Sequence, residues 1–333
     1  MRAYRIEIYN EDGSLSYVFS SQGADGKVSR GALQVQFDVP VTAQANPMSG
    51  AGVKVWGVQI DLIKQASNFN GKTMKLYAGF QPGLFLATQA FNKGQYGLIA
   101  QGLIYQAYGN WVGKDQYIQF VLLGNGLASI QDKQNVSFNW PAGTPLADAI
   151  RTTLSQAAPS YTIGDIKISP KLILPADEAG QYNNLISFAQ YVKTLSQQIL
   201  GDLNSNPPYP GVDILVQGGV VTVSDQTQPA SNPKKQILFT DLVGQPTYIN
   251  PGQIQVTVML RHDIQPFDII TLPQTVVTVA PGDPGTQIDT SVFQGDFIVA
   301  QARHLGDFRQ SEALDWITTL DCVPQQSAFA SFG

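Results

Sequence analysis

The sequence predicts a mainly β protein with an α/β insert, in which two β-barrel-like domains flank a middle α/β domain. Apolar and polar residues alternate through the first third of the chain. A helical spacing of apolar residues replaces this alternation near residue 140, and the alternation returns from Gln236 onward. We therefore expect a first β domain at 1–130, an α/β domain at 131–235, a second β domain at 236–324 and a C-terminal tail at 325–333.

Short strands with one buried face are predicted in the first domain. The clearest covers residues 33–41, where Leu33 and the odd-numbered residues after it are apolar, while Gln34, Gln36 and Asp38 point the other way. Turn-forming Gly, Asn and Pro residues bound the remaining segments. Those segments contain Tyr4, Ile6 and Ile8; Trp56, Val58, Ile60 and Leu62; Met74, Leu76, Ala78 and Phe80; and residues 116–123. Such closely spaced strands favour an antiparallel barrel or sandwich.

Two amphipathic helices are predicted in the middle domain. Thr144 followed by Pro145 is typical of a helix start, with a capping hydroxyl and a ring already at helical φ. Apolar residues then recur every three or four positions up to Ala157. A second helix is expected from about Asn184 to Gly201. A hairpin at 213–224 is expected to turn at Gly218-Gly219.

The second β domain repeats the alternation of the first. Ile254, Val256, Val258 and Leu260 alternate with polar residues such as Gln255 and Thr257, and residues 281–285 predict a loop. The tail at 325–333 has no periodicity, so we expect it to order only against a partner. The segments that begin at Gly109-Asn110-Trp111 and at Gly306-Asp307-Phe308 resemble each other, which suggests two related barrels.

Composition excludes several classes of function. The formal net charge is −5 and only 14% of residues are charged, which argues against binding nucleic acid by phosphate neutralisation. A single cysteine, Cys322, excludes an intrachain disulfide framework. No apolar run approaches the roughly 20 residues of a membrane span, and the N-terminus lacks a signal-peptide core. We expect assembly in a cytoplasm and no membrane binding of its own.

No catalytic, cofactor-binding or metal-binding residue can be argued from the sequence. His262 and His304 are each expected at the edge of a strand, far from any nucleophile motif. Asp283, Asp289 and Asp296 do not match a calcium-loop spacing. We therefore expect a protein that is not an enzyme and that needs no cofactor, and a glycan or peptidoglycan hydrolase is disfavoured because paired carboxylates are missing.

The tryptophans leave a binding function open. Trp56, Trp111, Trp140 and Trp316 could form a face on which sugar rings stack, although packing in the cores of small barrels is the simpler use. The alternative hypothesis is thus a carbohydrate-binding β protein of a host-adhesion apparatus.

Several segments resemble the baseplate hub proteins of contractile-tailed bacteriophages. Residues 242–256 and 259–270 resemble the second barrel of that family, and residues 56–60 resemble an early strand of its first barrel. In the family ending, a His-x-Gly-Asp turn precedes a Trp-x-Thr strand, as His304 to Asp307 and 315–319 do here. The order of barrel, α/β insert and barrel matches as well.

The resemblance implies a structural role. Hub proteins of this type form a homotrimer whose two tube domains per chain make a pseudo-sixfold ring in the virion's tail baseplate. The ring joins the hexameric tail tube protein to the trimeric central spike protein, contacts other baseplate proteins, and lets DNA and the tape-measure protein pass. A spike would then be a separate polypeptide. A related contractile injection device is an equally suitable context.

The polar strand faces are the candidate interface. Gln34, Gln36, Gln255 and Thr257 are expected to face a neighbouring barrel or the lumen, or simply to be solvated strand faces. A neutral to acidic lumen would let DNA slide, whereas a basic one would hold it.

Overall fold

The described part of the chain is mainly β, as predicted. The computed structural model describes residues 1–23, 29–43, 50–80, 95–122, 135–159, 161–201, 209–217, 220–227, 233–250, 253–273 and 295–324. Strands far outnumber helices within them. The predicted turn at Gly218-Gly219, the loop at 281–285, Asp283, Asp289 and the tail at 325–333 lie outside the described residues.

The described residues of the N-terminal region form seven strands and one short α-helix. The apolar residues at alternate positions of β1, β3 and β5 are buried, which confirms those predicted strands. The elements are β1 (Arg2–Tyr9), β2 (Leu15–Ser20), β3 (Gln34–Val41), β4 (Ala51–Trp56), α1 (Ile60–Lys64), β5 (Thr73–Phe80), β6 (Tyr96–Val112) and β7 (Asp115–Leu122).

The predicted strand containing Trp56, Val58, Ile60 and Leu62 is wrong. β4 ends at Trp56, and Gly57 then adopts a φ of 75°, which takes the chain out of extended conformation. Helix α1 begins at Ile60, so the alternation across this segment does not belong to one strand. The strand of this region lies earlier, at Ala51–Trp56. Its alternation of apolar and polar residues is hard to see in the sequence because it begins in the small residues Gly50-Ala51-Gly52.

The middle region has a separate hydrophobic core. Both predicted helices are present, and Leu146, Ala149, Ile150 and Leu154 of the first are buried. The elements are β8 (Val136–Trp140), α2 (Leu146–Ala157), β9 (Thr162–Lys167), β10 (Glu178–Tyr182), α3 (Leu185–Leu200), β11 (Asp213–Gln217) and β12 (Val220–Ser224).

The helix caps agree with the sequence only in part. Asn184 caps α3, where its side chain accepts a hydrogen bond from the Ser187 N–H at 2.8 Å. Thr144 does not cap α2, because its hydroxyl donates instead to the carbonyl of Pro141 at 2.6 Å. Pro145 occupies the cap position of α2 without a side-chain hydrogen bond.

The described residues of the C-terminal region contribute six strands. The alternation of Ile254, Val256 and Val258 is confirmed, since all three are buried. The strands are β13 (Lys235–Gln236), β14 (Thr247–Asn250), β15 (Gln253–Met259), β16 (Ile269–Leu272), β17 (Gly295–Asp307) and β18 (Trp316–Pro324).

One sheet runs through both β regions. Its strand order is β14-β15-β18-β17-β3-β4-β7-β6-β5-β1-β2, with β16 on the first part of β17 and β13 beside β16. The antiparallel pair of β17 with β3 joins the C-terminal region to the N-terminal one. A single hydrophobic cluster includes buried residues of both regions, while the boundaries of the three domains stay a prediction.

The two β regions repeat one strand order. Neighbouring strands follow the sequence β5-β6-β7-β4-β3 in the first and β16-β17-β18-β15-β14 in the second. The central hairpin carries a bulge at the same place, after Ile104 in β6 and after Val299 in β17. The bulges align Gln106-Ala107 with Gln301-Ala302, two residues away from the alignment of Gly109 with Gly306 that the sequence suggests.

Candidate functional site

The junction between the two β regions gathers the residues of the C-terminal motif. Strands β3 and β17 pair from Ala302 opposite Val41 to Asp307 opposite Gln36. His304, Gly306 and Asp307 all lie in this paired stretch, and Trp316 lies beside it on β18.

Gly306 makes room for an aromatic pair at the junction. A Cβ on Gly306 would lie 2.1 Å from Cζ of Phe37, far closer than van der Waals contact. The Phe37 ring packs edge-on against Trp316, with their centroids 5.0 Å apart. Because both side chains are buried, the glycine is a steric requirement of the β3–β17 pairing.

Trp316 ties β18 to the N-terminal region. Its Nε1–H donates to the buried carbonyl of Gly79 at 3.1 Å. The guanidinium of Arg2 lies 5.9 Å from the centre of its ring and donates to the carbonyls of Asp307 at 3.0 Å and Glu312 at 2.8 Å. These bonds join residues that are more than two hundred positions apart, so the junction depends on tertiary contacts.

His304 lies inside the sheet, and the expectation that it sits at a strand edge is wrong. Its side chain is buried, with Nδ1 2.9 Å from Oγ1 of Thr318. Burial, together with the nearby His262, lowers the pKa of His304 to about 4, and Asp263 opposes this shift. The imidazole is therefore neutral near pH 7 and closed off from solvent.

His262 also packs at the contact between the β regions. A Cβ on Gly97 of β6 would lie 2.3 Å from Cδ2 of the His262 ring, so the glycine allows the ring to approach the strand. The two histidines of the chain thus belong to the contact between its β regions.

The four predicted interface residues lie on one face of the shared sheet. Gln34 and Gln36 on β3 and Gln255 and Thr257 on β15 are all half-buried and alternate with buried apolar residues. The strand registers through β18 and β17 place all four on the side of the sheet that faces away from the core. We call this surface, on strands β15, β18, β17, β3, β4 and β7, the polar face.

Glutamine amides hold carboxylates on the polar face. The amides of Gln34 and Gln36 donate to the two oxygens of Asp307, the second at 2.6 Å. Trp56 Nε1–H in turn donates to the side-chain oxygen Oε1 of Gln36 at 3.0 Å. Gln36 therefore links Asp307 to the neighbouring strand β4 through the face.

A second set of the same kind lies across β15, β18 and β17. The amide of Gln255 donates to one oxygen of Asp321 at 2.9 Å, and that of Gln301 donates to the other. Thr257 lies opposite Thr319 in the same ladder. Gln301, Asp307 and Asp321 are not among the predicted interface residues, although alternation along β17 and β18 places them on the same face.

The polar face has few charged side chains, and the acidic ones outnumber the basic ones. Arg303 pairs with Asp38, with Nε 2.8 Å from Oδ1, and this hydrogen bond raises the pKa of Arg303. Lys54 Nζ lies 5.9 Å from the ring centre of Tyr117. Alternation also places Asp115 of β7 and Asp296 of β17 on this side, so the face has five carboxylates and two cations in its paired strands. This acidic balance gives no field that would hold a polyanion.

The tryptophans do not form a shared stacking surface. Trp140 and Trp316 are buried and Trp56 is hydrogen-bonded on the polar face, while Trp111 is 63% exposed at a hairpin end.

Cys322 is buried, which raises the pKa of its thiol and agrees with packing in the core. The described residues contain no group of three or more His, Cys, Asp or Glu side chains suited to a metal ion. No helix among them has the length and apolarity to cross a membrane.

Comparison with known proteins identifies the fold. No protein-family profile and no curated protein sequence matches the chain. The E. coli c3393 protein, a type VI secretion system component with structural similarity to the T4 bacteriophage tail proteins gp27 and gp5, matches with a TM-score of 0.50 at 9% identity, over 90% of this chain and 77% of its own. The 43 kDa tail protein of prophage MuSo2 from Shewanella oneidensis matches with a TM-score of 0.51 at 7% identity, over 97% of this chain and 99% of its own. The resemblance to baseplate hub proteins is thus confirmed in the fold, which this chain has in common with a prophage tail protein and a type VI secretion component.

Proposed function

We propose that this protein is a structural baseplate hub subunit of a contractile tail, and that three copies form a pseudo-hexameric ring. The observation that carries the proposal is the pair of β regions with one strand order, joined side by side through β3 and β17. Three chains with two similar modules each offer six similar positions around an axis. Such a ring can meet a hexameric tail tube on one side and a trimeric spike on the other.

The polar face supports a lumen-lining role. It is continuous across the junction; two of its carboxylates, Asp307 and Asp321, are bound by neutral amides, and Asp38 is paired with Arg303. A surface of this kind offers DNA or a tape-measure protein few sites of strong attachment, because release of counterions needs clustered Lys and Arg. We assign Gln34, Gln36, Gln255 and Thr257 to this lining.

The proposed setting is the tail baseplate of a virion assembled in the host cytoplasm. The partners are the tail tube protein, the central spike protein and other baseplate proteins. Because the E. coli c3393 protein with the same fold is a type VI secretion component, a related contractile injection device fits the same architecture.

The protein is proposed to act without catalysis. The buried, neutral His304 and the buried Cys322 are packing residues in the described structure and are not positioned toward solvent. A carbohydrate-binding function is not favoured, because Trp111 is exposed by itself and the other tryptophans serve the core or the polar face.

Light scattering of the purified full chain, alone and mixed with its tube and spike proteins, tests the proposal. We expect a particle with the mass of three chains that binds the spike. A chain that stays monomeric at high concentration in the presence of both partners would overturn it.

A further inference from the structure

The repeat within the chain indicates where one copy would join the next. β17 of the second β region pairs with β16 through its first residues and with β3 through its last ones. In the first region β6 corresponds to β17, and β5 covers only its first half, Tyr96 to Leu103. The position along β6 that corresponds to β3 has no strand among the described residues.

The second half of β6 presents backbone groups at this edge. The N–H of Ala107 points away from β7 and donates to Oδ1 of Asn70 at 2.8 Å. Because backbone groups alternate sides along a strand, those of Gly109 and Trp111 face the same edge. Tyr108 is 43% exposed beside them, which leaves apolar surface next to this strand edge.

The matching edge belongs to β14. This strand corresponds to β3 in the repeat, and among the described residues it pairs only with β15. Tyr248 is 57% and Ile249 39% exposed on it. An edge strand with exposed large apolar side chains is a template for pairing with another chain.

We propose that β14 of one copy pairs antiparallel with the second half of β6 in the next copy. The proposal rests on the ring described above and assigns its contact between chains. Three junctions of this kind would alternate with the three β3–β17 junctions inside the chains. The contact is head-to-tail, and such contacts close into a ring when the rotation permits.

The repeat also sets the register. Ile104 and Val299 both precede the bulge and so occupy equivalent positions. In the first region Ile104 lies opposite Leu122, which lies opposite Ala51. In the second region Val299 lies opposite Cys322, which lies opposite Ile254. Ile254 lies opposite Tyr248, so Tyr248 takes the place that Val39 has in β3.

The contacts of β3 then give the pairs between copies. Val39 lies opposite His304 and Asp38 opposite Leu305. The corresponding pairs place Tyr248 opposite Gly109 and Thr247 opposite Asn110. Gly109 already contacts Ile63 of α1, since a Cβ there would lie 2.3 Å from the Ile63 carbonyl oxygen, so the exposed tyrosine ring would pack beside α1.

Cysteine pairing in the full chain tests this register. Asn110 faces β7 with its backbone groups, so its pair with Thr247 is a non-hydrogen-bonded one with Cα atoms about 4.5 Å apart, within disulfide range. Under mild oxidation the double variant Asn110→Cys, Thr247→Cys should lose its monomer band on a non-reducing gel to linked dimers and trimers. Each single variant should stay monomeric on that gel, because the native Cys322 is buried.

A matched double variant, Ser16→Cys with Thr247→Cys, places the first thiol on β2 at the other end of the sheet. It should not link. Light scattering on the same samples separates the two hypotheses. A trimer whose Asn110→Cys, Thr247→Cys variant does not link, or whose β2 variant links instead, overturns this junction and leaves the ring intact. A chain that never trimerises overturns both.

Discussion

Replacing Gly306 by alanine should weaken the junction between the two β regions. The added Cβ would lie 2.1 Å from Cζ, 2.3 Å from Cε1 and 2.7 Å from Cε2 of Phe37. An ordinary carbon contact is about 3.5–4.0 Å, so the ring would have to move by more than about 1 Å. Trp316 already packs against that ring, and the buried position leaves no open space to receive it.

The expected cost follows from overpacking in a dense core. Forcing extra carbon into such a site costs about 1–3 kcal/mol, and we expect Gly306→Ala to fall in the upper half of this range. Gly52 on β4 is the matched control, since a Cβ there meets no atom within 4 Å. Gly52→Ala should be neutral, or stabilise by up to about 1 kcal/mol through reduced freedom of the unfolded chain.

Equilibrium unfolding in urea, followed by circular dichroism, measures both variants. Phe37→Leu should recover part of the loss in a Gly306→Ala background, because it removes the atoms that the Cβ meets. Gly306→Ala and Gly52→Ala of equal stability would refute the steric reasoning. So would a double variant whose losses simply add.

Three further perturbations test the junction and the polar face. The buried His304 has a pKa of about 4, below its ordinary 6.5, so its contribution to stability is complete above pH 6.5 and is lost as the pH falls toward 4. The loss amounts to about 3 kcal/mol over that window. Unfolding measured at several pH values should therefore show a free energy of unfolding that depends less on pH in His304→Gln than in the parent. Trp316→Phe removes the donor to the Gly79 carbonyl and should cost about 1–3 kcal/mol of unfolding free energy in urea. Asp321→Asn keeps one acceptor oxygen for two donating amides. In the same assay it should lower the free energy of unfolding by about 1 kcal/mol and leave the secondary structure unchanged.

Each of these has a result that contradicts it. An unchanged pH dependence in His304→Gln would mean that the imidazole is not held neutral. A Trp316→Phe variant as stable as the parent would show that the bond to Gly79 has no net value. Asp321→Asn at parental stability would mean that solvent satisfies the amides equally well.

Much of the local structure follows from the sequence because it depends on local patterns. The apolar residues between Leu146 and Ala157 recur at helical spacing, and this segment forms α2. Asn184 supplies the N-terminal cap of α3. The alternation along β3 predicts both its buried residues and the polar face that carries Gln34 and Gln36. Such signals need only the chain's own periodicity.

The junction could not be predicted, because it is non-local. Nothing in the pattern of β3 indicates that it pairs with β17, which lies more than 250 positions away. The bonds from Gln34 and Gln36 to Asp307 depend on that pairing, and so does the position of His304 opposite Val39. At Gly57 a positive φ ends a strand whose alternation continues by coincidence into α1.

Electron microscopy of the purified full chain shows whether three copies form a pseudo-hexameric ring. We expect rings of three chains, with six lobes of similar shape around an open channel. Single particles without a channel, or a trimer whose two β regions lie at different distances from the axis, would contradict it.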